Sequence, residues 1–195
     1  MAVIGVLAIQ GDFAEHIKVL KRLGPETREV RLPKDLEGLD GLILPGGEST
    51  AIGKIATDFN MMDPLREFGR QKPVWGTCAG AIFLSQDVNH QQPLLGLMDI
   101  TTDRNAFGRQ VDSFEIEMDI PALKVIDPEN KPFSAIFIRG PQIRSVNGSN
   151  VDVIAELENG EIVAAQQGKL LATSFHPELN SDDRFHEYFL YLVNS

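Results

Sequence analysis

The sequence predicts an α/β protein of three layers, with a mostly parallel sheet and an antiparallel β extension in its second half. Three observations carry this reading. Strand-like and helix-like segments alternate through the first half. The first strand candidate, Val3 to Ile9, is apolar without alternation, as in a strand covered on both faces. Beyond Phe114 the pattern changes to apolar residues alternating with acidic ones.

The elements follow in order. Val3 to Ile9 is a buried first strand, and Phe13 to Leu23 a helix with Ile17, Leu20 and Leu23 on one face, stopped by Gly24-Pro25. Thr27 to Leu32 and Gly41 to Leu44 are the next strands, the latter ending at Pro45-Gly46-Gly47. Ser49 or Thr50 is expected to cap a helix running to Thr57. A short helix, Pro64 to Gly69, leads to the strand Pro73 to Gly76, and Thr77 to Gly80 opens a helix over Ala81 to Gln86. In the second half, strands are expected at Phe114 to Ile120, Phe133 to Ile138, Val151 to Leu157, Glu161 to Gln166 and Leu170 to Phe175. Asn159-Gly160 is a hairpin turn between two of them. An amphipathic helix from Asp182 to Val193 closes the chain.

Length and composition bound the function. The 195 residues suit one domain spanning 1–195, large enough for a sizeable core. Eighteen Lys plus Arg against 28 Asp plus Glu give a net charge of −10, which disfavours nucleic acid and anionic membranes. A single cysteine forbids an internal disulfide and points to a reducing, cytoplasmic setting. Met1 to Gln10 has no basic flank, so it reads as a strand and not a signal peptide, and no apolar run is long enough to span a membrane. His16, His90, His176 and His186 show no zinc-type spacing with the cysteine, and no P-loop or Gly-x-Gly-x-x-Gly is present, so neither metal nor cofactor is expected.

Gly76-Thr77-Cys78-Ala79-Gly80 has the form Gly-x-Cys-x-Gly between a strand and a helix, the thiol counterpart of a nucleophile elbow. The glycines permit a tight turn that lifts the sulfur toward solvent, and the helix start favours thiolate. A lone cysteine is otherwise a small buried hydrophobe. His176 and Glu178, two apart in an extended segment, face the same way. Glu178 can then hold one ring nitrogen of His176 while the other faces the thiol, the logic of a catalytic triad. The bland reading is a surface pair at a strand end. Pro45-Gly46-Gly47-Glu48-Ser49-Thr50 follows a strand at the same sheet edge, where the Gly47 N–H would complete an oxyanion hole with that of Ala79. Taken alone, that loop is an ordinary strand-to-helix turn.

Together these motifs resemble the class I, triad-type glutamine amidotransferases, in order and in spacing. The stretches Leu42 to Thr50, Gly76 to Gly80, Arg104-Asn105-Ala106-Phe107-Gly108-Arg109-Gln110, Phe137-Ile138-Arg139 and Ser174 to Glu178 are similar to the glutaminase subunits of pyridoxal 5′-phosphate synthase, as is Ile4 to Gly11. The resemblance implies a flavodoxin-like sandwich and hydrolysis of L-glutamine to L-glutamate and ammonia through a thioester at Cys78. It implies substrate contacts from Gly47, Glu48, Ser49, Arg104, Ile138 and Arg139. It also implies a separate (β/α)₈-barrel synthase subunit that receives the ammonia in a large hetero-oligomer, with the pyridoxal phosphate made on that partner. Two other enzyme readings share the elbow: a glutaminase serving another synthase, such as imidazole glycerol phosphate synthase, and a cysteine hydrolase or peptidase on a related fold. A non-catalytic scaffold would need none of Cys78, His176 and Glu178. Weak activity is expected of the isolated chain, with the partner completing the oxyanion hole.

Overall fold

The computed structural model describes residues 1–104 and 113–195. β1 (Val3–Leu7), β2 (Glu26–Val30), β3 (Gly41–Leu44), β4 (Val74–Thr77) and, far along the chain, β12 (Leu170–Thr173) form the parallel part of the main sheet, in the order β2-β1-β3-β4-β12. On β1, β3, β4 and β12 successive residues feed opposite cores, which explains their largely apolar sequences, whereas β2, at the sheet edge, is polar and buries Val30. Leu42, Leu44 and Val74 pack with α2 (Ser49–Asp58), α3 (Met62–Gln71) and α4 (Ala79–Leu84). Ile4, Val6, Ile43, Trp75 and Leu171 pack with α1 (Phe13–Leu23) and α5 (Arg184–Asn194) on the other face. The three-layer α/β expectation therefore holds.

The sheet continues past β12 through β11 (Ile162–Gln167), β9 (Gln142–Val146), β6 (Met98–Asp103) and β5 (Ser85–Val88), with β10 (Asp152–Glu156) paired to β11. This extension is longer than the sequence suggested, because β5, β6 and β9 are rich in polar residues and were not expected. β5 also takes over Ser85 and Gln86 from the expected end of α4: Ser85 Oγ donates to the carbonyl of Ile82 at 2.7 Å and stops the helix. A separate antiparallel pair, β7 (Ser113–Met118) and β8 (Phe133–Ile138), lies over the α1/α5 face, where Phe133 and Phe137 join that core.

The cap of α2 differs from expectation. Glu48, not Ser49 or Thr50, is the capping residue, its carboxylate accepting from the backbone N–H groups of Thr50 (3.1 Å) and Ala51 (2.7 Å).

Candidate active site

Parallel strands place their C-terminal ends on one edge, and four of them deliver the site. β1 leads to Gln10-Gly11-Asp12, β3 to Pro45-Gly46-Gly47-Glu48, β4 to Cys78 and β12 to His176 and Glu178.

The turn at Cys78 is the sharp elbow that the two glycines foretold. Cys78 has φ 49° and ψ −112°, a conformation that side-chain-bearing residues rarely adopt. Its N–H donates to the Thr173 carbonyl at 2.8 Å, fixing the elbow to β12, the strand that leads to His176. A Cβ on Gly76 would stand 2.4 Å from the Gly80 carbonyl oxygen, and one on Gly80 would stand 1.9 Å from that of Leu44. Both positions therefore require glycine. The sulfur-bearing residue is 7% exposed, so the elbow raises it into a covered recess and not into open solvent. Ala79 is the first residue of α4, where a backbone N–H has no partner within the helix.

His176 Nδ1 and Glu178 Oε1 lie 2.6 Å apart, both buried. Burial works against a charged His176, but the Cys78 sulfur and the Glu178 carboxylate outweigh it and raise the ring's pKa to about 10. His176 Nε2 is buried without a hydrogen-bond partner. Sulfur and ring influence each other's charge without an aligned hydrogen bond, a looseness common in unliganded catalytic sites. The backbone N–H of His176 donates to the Ile136 carbonyl (2.8 Å), tying the β8 end to the site. Burial also pushes the Glu178 carboxyl upward, against the bond from His176. Among the described residues, Asp12, His176 and Glu178 are side chains of metal-binding type whose ligand atoms converge within 4.8 Å. The imidazole and Glu178 already bind one another there, which is an acid–base arrangement.

The Pro45 loop packs directly on this pair. A Cβ on Gly46 would lie 2.6 Å from His176 Cε1. The Gly46 carbonyl accepts from the Asp12 N–H at 3.0 Å, so in a trans peptide the Gly47 N–H points away from Asp12's backbone. Gly47 has φ 153° and Gln10 Oε1 against its α-carbon face, while Gln10 Oε1 accepts from the Glu48 N–H (2.9 Å).

Glu48 and Arg104 form an ion pair at 2.6 Å. Partial burial opposes the Glu48 carboxylate, but the N–H groups of Ala51 and Thr50, with Arg104, hold its pKa below the ordinary range. Arg104 also donates to Thr50 Oγ1 (2.8 Å) and Gln92 Oε1 (3.3 Å), the latter also taking the Ser49 hydroxyl at 3.3 Å. Ile138 and Arg139 stand at the end of β8, Ile138 exposed and Arg139 with φ 46°. Asn105 to Gln110, the rest of the stretch beginning at Arg104, falls outside the described residues.

Three contributors escaped the sequence reading. Asp12, whose Oδ2 is 3.8 Å from His176 Nδ1, follows β1 at the same edge as the other loops, a signal that was available. Gln92 had none. His16 sits on the buried face of α1, where a histidine among apolar positions is the clue.

A strained cysteine elbow, a buried His–Glu pair and a glycine-rich loop on one edge of a three-layer sheet define the class of triad-type cysteine hydrolases. The chain belongs to the SNO glutamine amidotransferase family, whose profile matches residues 6–195. It is 53% identical to pyridoxal 5′-phosphate synthase subunit PdxT of Herpetosiphon aurantiacus, over 96% of this chain and 98% of that one. With PdxT of Chloroflexus aurantiacus it shares 52% identity, over 97% and 99% of the two chains. The crystal structure of a glutamine amidotransferase superposes with a TM-score of 0.91 at 46% identity, covering all of both chains. PurLQS of Thermotoga maritima shares the fold alone, with a TM-score of 0.71 at 15% identity over 97% of this chain and 98% of that one.

Proposed function

We propose that the chain is the glutaminase subunit of a pyridoxal 5′-phosphate synthase, acting as one domain over residues 1–195. It hydrolyses L-glutamine to L-glutamate and ammonia, and passes the ammonia to a separate synthase subunit built as a (β/α)₈ barrel, within a large cytoplasmic hetero-oligomer. The full-length identity to PdxT proteins supports the pathway. The observation that carries the chemistry is the 2.6 Å His176–Glu178 bond beside Cys78 on its strained elbow.

In this reading Glu178 holds one proton on His176 Nδ1 and Nε2 holds the proton given up by Cys78, so the resting pair is an imidazolium and a thiolate, in keeping with the raised pKa of the ring. The thiolate attacks the side-chain amide carbon of glutamine. The Gly47 and Ala79 N–H groups receive the developing oxyanion, each worth about 2.7–4 kcal/mol in the transition state. Collapse breaks the C–N bond as His176 returns its proton to the leaving nitrogen, giving ammonia and a thioester. Water, losing a proton to His176, then attacks the thioester and frees glutamate and the thiol. Opposite charges 2.6 Å apart at Glu48 and Arg104 match the ammonium and carboxylate of an amino acid, and the resemblance adds Ser49, Ile138 and Arg139 as further contacts.

Mixing the chain with a barrel synthase of this pathway and measuring glutamate release tests the reading. Release should rise well above that of the chain alone, and Cys78→Ser should reduce it by at least about 10⁴-fold. Full release by Cys78→Ser would exclude Cys78 as nucleophile, and undiminished activity without a partner would exclude partner activation.

A further inference from the structure

Behind the triad lies a second chain of buried polar groups that the reaction just described does not use. His16 of α1 and His186 of α5 are fully buried. His16 Nδ1 is 2.9 Å from His186 Nε2, and His16 Nε2 is 3.1 Å from Thr77 Oγ1 and 3.4 Å from Glu178 Oε2. We propose that His16 is a positioning residue for glutamine hydrolysis: its Nε2–H holds the outer oxygen of Glu178 and the hydroxyl of Thr77, tying the acid to the residue before the nucleophile, while His186 fixes its tautomer. This rests on the triad reading above.

Two independent observations assign the protons in this network to the same tautomers. Glu178 Oε2 is a buried carboxylate oxygen without a regular hydrogen bond, and the donor-capable atom facing it is His16 Nε2. A lone pair on that nitrogen would set two acceptors against each other away from water, so Nε2 carries the proton. His16 Nδ1 is then an acceptor and takes the Nε2–H of His186. That leaves His186 Nδ1 unprotonated, and His186 Nδ1 is the ring nitrogen buried without a partner. A bare acceptor is tolerated there better than an orphaned N–H. The reverse assignment fails twice: it opposes Glu178 with a lone pair and buries an unpaired donor.

Both rings are neutral. Burial first, then the neighbouring His186 and His176, lowers the pKa of His16 well below the usual value, and burial takes His186 to about 3 between Asp183 and Arg22. Glu178 faces His176, His16 and Asp12. Burial pushes its pKa upward, against His176 and the backbone N–H of Glu178 itself, and in this proposal the His16 N–H facing Oε2 adds to what keeps it a carboxylate with the proton of His176 on Nδ1. None of these groups lies at Glu48 or Arg104, so their loss acts on turnover and not on glutamine affinity.

The test compares His16→Leu, which keeps bulk but no donor, with His16→Gln, whose amide can donate. It also reads the wild-type tautomers by ¹⁵N NMR of histidine-labelled protein. With the synthase present, His16→Leu should lower kcat by about ten- to a hundredfold at unchanged KM and move the acidic limb of kcat/KM to higher pH. His16→Gln should recover most of both. The spectrum should show His16 neutral and protonated at Nε2, and His186 neutral and protonated at Nε2. The opposite tautomers would overturn the proposal even if the leucine variant does not fold. So would a folded His16→Leu enzyme with wild-type kcat and pH profile, or equal losses in both variants. Absence of glutamate release by the wild-type complex would instead defeat the triad reading, and the tautomers would still be read.

Discussion

The two ends of the site are built on different principles. Around Cys78 the side chains of the triad are buried and held by the backbone: the elbow is bonded to β12, His176 to Glu178, and the Pro45 loop closes on the imidazole. Around Glu48 and Arg104 the side chains are half open to water and pair with each other. In the proposed reading, the difference teaches that the triad side chains are set by the fold before glutamine arrives, whereas the charged groups proposed to recognise it rest on one another and are available for exchange. An exposed ion pair is worth little, so an amino acid bearing the same two charges can replace it at small cost.

Substitutions should separate the two ends cleanly. Glu178→Gln keeps the shape of the buried end but removes the charge that orients His176. It should lower kcat by about 10³–10⁴-fold while KM stays close to wild type, measured as glutamate release with the synthase. Arg104→Ala should do the reverse, raising KM by about ten- to a hundredfold with kcat retained. A large kcat loss at Arg104 would show that the open end also shapes the transition state.

The buried end should also govern acid stability. His16 and His186 have depressed folded pKa values, so their contribution is present above pH 6.5 and is lost as pH falls below it, for His186 down to about 3. Each can contribute a slope of up to about 1.4 kcal/mol per pH unit in chemical denaturation, and His186→Leu should flatten the curve. The smallest effect concerns the elbow itself. Cys78→Ala keeps the strained φ of 49° and Cys78→Gly relaxes it, so the glycine variant should be more stable by about 1 kcal/mol, against the usual order.

The sequence made the first of these ends legible and left the second largely to resemblance. Cys78, His176 and Glu178 announce themselves because strand-to-turn motifs are local, and β1 because an apolar run without alternation is unusual. Pairing of Glu48 with Arg104 joins residues 56 apart, and no spacing encodes it. The same holds for Asp12 and His16, which reach the triad only after β1 and α1 have packed. β6 was different: Met98, Ile100 and Thr102 do alternate inward, but threonine and aspartate diluted a signal that burial now makes plain. β5 and β9 have so few apolar residues that only their place in the sheet defines them.

The interlock of Gly76 and Gly80 with neighbouring carbonyls has a consequence for how such a chain can drift. Two sites with no functional group of their own should tolerate no replacement at all. In a saturation library selected for growth without added vitamin B6, their columns should be as empty as that of Cys78, although a glycine brings no reacting group.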